Sequence, residues 1–170
     1  VALAKKLVTE HLSKMKGILM VGISGSVAAE NAKKNEDIDL LVITKADEMW
    51  WWRLYVRFYL WKNKIPHRHF HQKEKANEFC FNLWMDSNNL EIPKGKRNLK
   101  NASDLVMMKV IYNKDNIYQK FLRKNTWVEK YLATGYNSRL EKFQDTSETK
   151  SGVIKKLIND FLFGGQYLYM

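Results

Sequence analysis

The sequence predicts an α/β (α+β) fold, with a sheet core packed by helices over residues 1–100 and a helical region over residues 101–170. Three observations point there. Two strand-like apolar runs, ILMVGI and IDLLVIT, flank a short stretch of helical spacing. From Ser103 onward apolar positions recur at the helical period rather than alternating. Hydrophobic residues make up 45% of the 170, enough for one substantial core but not for two large domains.

The elements follow in order. Residues 2–16 place Leu3, Leu7, Leu12 and Met15 on a helical stripe that Gly17 ends. Residues 18–23 form a strand, 26–33 a short helix, and 38–44 a second strand. Residues 47–63, DEMWWWRLYVRFYLWKN, form a helix with acids at its start and Lys62 near its end, which suits the macrodipole. Aromatic residues go nearly all the way round it, so most of its tryptophans are expected to be buried against the sheet or the C-terminal helices. A polar connector after Pro66 carries His67, His69 and His71. Three alternating imidazoles can serve as metal ligands, but without a close acid or cysteine they read better as a loop. Residues 78–85 give a third strand. Helices are then expected near 103–112, 117–124, 127–132 and 152–163, the last two separated by a polar loop.

The chemistry concentrates in GISGSVAAENAKKNEDIDLLVIT. Ten residues separate the pair Gly25-Ser26 from the triplet Asp37-Ile38-Asp39. In an extended strand side chains alternate, so Asp37 and Asp39 project to one side and Ile38 and Leu40 to the other. Two adjacent carboxylates repel unless a divalent cation lies between them, and Mg²⁺ held by one or two carboxylates plus substrate phosphates is a recurrent arrangement. The Gly25-Ser26 turn supplies a close backbone approach to phosphate. A plainer alternative has both acids opening the strand as solvated turn residues, although Asp39 lies inside the apolar run.

Ile23, Gly25, Ser26, Asp37, Ile38 and Asp39 together resemble the signature of the polymerase-beta type nucleotidyltransferase superfamily. Downstream, FCFNLWMDSNNLEIPKGKRN and YQKFLRKNTWVEKYL are similar to little-characterised prokaryotic nucleotidyltransferase-domain proteins. The resemblance implies a mixed sheet. It also implies a metal-dependent enzyme that moves a nucleoside monophosphate from an NTP to a hydroxyl acceptor and releases pyrophosphate. On this reading Gly25 and Ser26 hold phosphates, and Asp37 and Asp39 are catalytic and bind Mg²⁺ or Mn²⁺. Relatives often add a third carboxylate from a neighbouring strand. Here Asn82 stands at the centre of the third apolar run and Asp86 at its end, so both enter the expected metal site, Asn82 by position and Asp86 by charge. The missing acid keeps open an alternative, a catalytically inactive nucleotide- or nucleic-acid-binding protein of the same fold. A third reading is a partner module docked through the aromatic helix.

Composition sets the remaining bounds. Lys and Arg outnumber Asp and Glu by 29 to 18, giving a net charge of +11 that favours polyanions such as RNA or tRNA as acceptor. Residues 94–130 carry much of the excess, either as a phosphate-tracking surface or as a solvated helical face. The single cysteine, Cys80, sits in an apolar run and reads as a buried thiol; with no disulfide framework a reducing cytoplasm is expected. No apolar stretch is long enough to span a bilayer and no secretory pattern opens the chain. A helix already under way at Val1 and the apolar ending FLFGGQYLYM are expected of a fragment.

Overall fold

The computed structural model describes residues 1–28, 36–69, 72 and 75–141. Four strands, β1 (Ile18–Ile23), β2 (Ile38–Thr44), β3 (Phe79–Asp86) and β4 (Lys109–Asn113), form one mixed sheet in the order β3-β2-β1-β4. β1 runs antiparallel to both β2 and β4, whereas β2 and β3 are parallel. A parallel pair needs a crossover, which is supplied by α3 (Met49–Lys62).

Helices cover both faces. On one, Leu7 and Val8 of α1 (Ala2–Glu10) and Val56 and Leu60 of α3 pack on Val21, Ile23, Leu40 and Val42. On the other, Leu41, Ile43 and Met85 meet α4 (Leu99–Met107), α5 (Ile117–Lys124) and α6 (Glu129–Leu140). Cover on both sides is why β1 and β2 read as unbroken apolar runs rather than alternating ones. The remaining helix, α2 (Gly25–Ala28), opens directly after β1.

Several expectations are corrected. The helix expected at 103–112 is two elements: α4 ends at Met107, Met108 takes extended backbone, and residues 109–113 become the edge strand β4. Val110, Ile111 and Tyr112 suit a pleated surface, and β1 would otherwise end the sheet as an unpaired edge. The sheet therefore draws on both sides of residue 100. The helix expected at 127–132 begins as a 3₁₀ turn and continues to Leu140 across a kink at Leu132. α3 does not bury most of its tryptophans: Trp50 is buried and Trp52 partly so, but Trp51 and Trp61 are 44% and 68% exposed. The helix expected at 152–163 lies outside the described residues.

Asn125, wholly buried, ties α5 to the loop after β3. Its amide donates to the carbonyls of Leu90 and Phe121 and accepts from the Ile92 N–H and the Trp127 indole, at 2.7–3.0 Å. That clamp satisfies the amide and fixes the wall formed by residues 90–92.

Candidate functional site

One end of the sheet collects the C-terminus of β1 and the N-termini of β2, β3 and β4. Ser24 leaves β1 with its N–H donating to the Asp39 carbonyl at 3.0 Å. Gly25 then turns with φ +67°, in the left-handed region that favours glycine. A Cβ there would lie 2.6 Å from Asp39 Oδ2, so the turn packs against this carboxylate with room only for hydrogen. Ser26, expected to face phosphate, donates its hydroxyl to the Glu36 carboxylate across the turn.

Asp37 and Asp39 come together. Their carboxylates and the Cys80 sulfur each offer a ligand atom within 4.8 Å of the other two. Asp37 is buried, and its Oδ2 accepts from Arg68 Nη1 at 2.9 Å. Arg68 arrives because the segment after Pro66 adds to the outer edge of β3. Its N–H bonds the Phe79 carbonyl, while the Phe79 N–H bonds the Pro66 carbonyl. Cys80 stands beside Asp39 in the β2–β3 register and donates its thiol hydrogen to the Asp39 carboxylate. Burial and then the two carboxylates push this thiol up to about 12 against the opposing pull of Arg68, so it is held protonated.

The other expected ligands lie elsewhere. Asp86 pairs with Thr44 at the far end of β3, roughly 16 Å along the strand from Asp39 at about 3.3 Å per residue. Its carboxylate accepts from the N–H groups of Asp47 and Asn88 and serves as a turn cap. Asn82 sits at a register slip in β3, exposed, on the wall of a neighbouring cleft. The His67 and His69 rings lie 4.6 Å apart, tilted by 48°, beside that strand, and His71 lies outside the described residues.

The cleft, of about 480 Å³, runs between β3 and α4 and is lined by Ser24, Asn82, Asp86, Glu91, Lys96 and Asp104 among others. Asp104 touches the turn itself, because its carboxylate accepts the Gly25 N–H. Burial raises its carboxyl above the ordinary range, against the opposite influence of Lys100 and of that N–H. Lys109, opening β4 opposite Ile23, adds a cation at the same end of the sheet.

Arg68, Cys80 and Asp104 escaped the sequence reading. Only strand pairing or helix packing delivers each of them to the site. The sequence marks Cys80 only as a thiol within the apolar run FCFNLWM. Chemically, two carboxylates with one guanidinium fit a divalent cation bound through oxygen. Mg²⁺ or Mn²⁺ suits these donors, whereas a protonated thiol is no ligand for a hard cation.

Residues 5–132 match the family model of the nucleotidyltransferase domain. No curated protein matches the chain at a significant level.

Proposed function

The chain belongs to the nucleotidyltransferase-domain family, and from its site we propose that it moves a nucleoside monophosphate from an NTP to a hydroxyl acceptor in the cleft, releasing pyrophosphate. Enzymes of this family generally work with a divalent cation and an NTP. The observation that carries the proposal is the convergence of Asp37 and Asp39 beside a turn whose glycine has space for nothing larger.

Asp37 and Asp39 would hold Mg²⁺ or Mn²⁺. Such an ion supplies charge neutralisation for the triphosphate and stabilises charge developing in an in-line displacement. The residues do the rest. Arg68 fixes Asp37 and offsets part of the carboxylate charge. Cys80 orients the Asp39 carboxylate through its thiol hydrogen bond. The Gly25-Ser26 turn brings backbone close to the terminal phosphates, and Lys96 on the cleft wall supplies a cation toward the remaining charge.

The net charge of +11 supports RNA or tRNA as the acceptor. The cleft supports a narrower statement. Its size suits a small molecule or one terminal nucleotide, and its lining holds Asp86, Glu91 and Asp104 against Lys96. A second reading, a nucleotide-binding protein without turnover, is favoured by Cys80, a thiol where a third acid would complete the site.

Incubation with each α-labelled NTP, Mg²⁺ or Mn²⁺, total cellular RNA and a small-molecule extract separates these readings. Label is expected in RNA or in a small molecule. Asp39→Ala is expected to reduce incorporation on the order of a hundredfold or more while the chain stays folded. Binding of NTP without any incorporation would establish the second reading, and unchanged turnover in a folded Asp39→Ala chain would remove the assigned role.

A further inference from the structure

Nucleotidyl transfer to a hydroxyl requires a group to take that hydroxyl's proton. Asp37 and Asp39 are committed to the cation in the reading above, and Cys80 keeps its own proton on the Asp39 carboxylate. The cleft contains another carboxylate next to the reacting end. Asp104 projects from α4 into the cleft wall beside Ser24 and accepts the N–H of Gly25. Gly25 in turn rests against Asp39 Oδ2. The two carboxylates therefore flank one glycine, Asp39 facing its α-carbon and Asp104 its nitrogen, with the cleft open on the Asp104 side. Asp86 and Glu91, the other acids of the lining, are engaged elsewhere: Asp86 caps the turn after β3, and Glu91 pairs with Arg97.

We propose that Asp104 is the base that accepts the acceptor's proton, a role that rests on the nucleotidyl-transfer reading above. The acceptor oxygen forms a bond to the α-phosphorus, and the bond from that phosphorus to the bridging oxygen breaks. Its electron pair leaves with pyrophosphate, and the hydroxyl proton passes to an Asp104 carboxylate oxygen. Burial that raises the Asp104 carboxyl also makes it a better proton acceptor than a fully solvated aspartate. A carboxylate already bonded to Gly25 is held in place for the task, since one lone pair fixes its position on the cleft wall and further acceptor sites remain on the two oxygens.

Asp104→Asn separates this role from a structural one. The asparagine carbonyl oxygen can still accept the Gly25 N–H, so the turn is retained while the basic group is lost. Using the α-labelled NTP, total RNA and small-molecule extract, the variant is expected to lose kcat by about 10²–10⁴-fold. The KM for NTP, Mn²⁺ affinity measured by electron paramagnetic resonance, and the thermal midpoint are expected to stay near wild type. Asp104→Glu is expected to recover part of kcat. Wild-type kcat in Asp104→Asn would overturn the assignment. So would NTP and Mn²⁺ affinities that fall in step with kcat, which would mark Asp104 as a brace for the turn. An inactive parent chain would instead overturn the nucleotidyl-transfer reading itself, and this role with it.

Discussion

At Gly25 a single methyl group would decide where Asp39 can sit. An added Cβ meets Oδ2 at 2.6 Å in a backbone conformation that costs other residues about 1–2 kcal/mol. Gly25→Ala is therefore expected to lower stability by about 1–3 kcal/mol and to weaken Mn²⁺ binding about tenfold or more, as read by urea unfolding and metal titration. Unaltered metal affinity would show that the turn does not position the carboxylate. Cys80 offers a second measurement, clean because the chain has one cysteine. With its thiol pushed up to about 12, only on the order of 10⁻⁴ of it is thiolate at pH 8. Iodoacetamide should then label the native chain far more slowly than the unfolded one, with a rate rising about tenfold per pH unit between pH 8 and 11. Rapid labelling at pH 8 would contradict the burial of the thiol and its place beside the two carboxylates. Asp37 and Asp39 were legible in the sequence because an Asp-apolar-Asp triplet fixes their shared face by covalent spacing alone. Cys80, Arg68 and Asp104 were not, since each reaches the site through tertiary pairing across 31 residues or more.

Among the elements, α3 shows what a hydrophobic pattern cannot convey. Its apolar residues nearly encircle the helix, so the pattern predicts burial but not direction. The sheet takes only one side. Val56 and Leu60 are fully buried there, while Trp51, Leu54, Tyr55, Phe58 and Trp61 form an exposed stripe along another face. Leu60→Ala is expected to cost about 2–5 kcal/mol, and Trp61→Ala, one residue along, below about 1 kcal/mol, in denaturant titrations of the two variants. Comparable losses would mean that Trp61 is covered in the folded chain. β4 was misread for a related reason. LVMMKVIY is a short apolar run consistent with helix or strand, and only the open edge of β1 decides between them. β1 and β2 carried no such ambiguity, being bounded by Gly17, the glycine turn and the acidic loop.

For the molecule as a whole, the +11 charge and the acidic lining of the cleft pull in different directions. A polyanion guided by the surface lysines would show affinity that falls with salt, with a log-log slope near −0.7 for each phosphate contacted on a single strand. Arg123→Glu with Lys124→Glu should weaken such binding without unfolding the chain, as followed by RNA titration at several salt concentrations. A flat dependence would return those residues to a solvated face and leave the acceptor to the cleft. The parallel pairing of β2 and β3 has a further consequence, for the order of events during folding. Asp39 and Cys80 are 41 residues apart, and the chain between them must fold as a crossover before they can meet. Asp104 joins from still further along, after β3 and the loop clamped by Asn125. Contacts so distant in sequence form only after the closure entropy has been met, so the β1–β2 pair and much of the core can assemble while the centre remains open. Protection of the Cys80 thiol beside Asp39 is thus expected late in refolding, after β1 and β2 have paired, and the time at which alkylation slows reports closure of the α3 crossover.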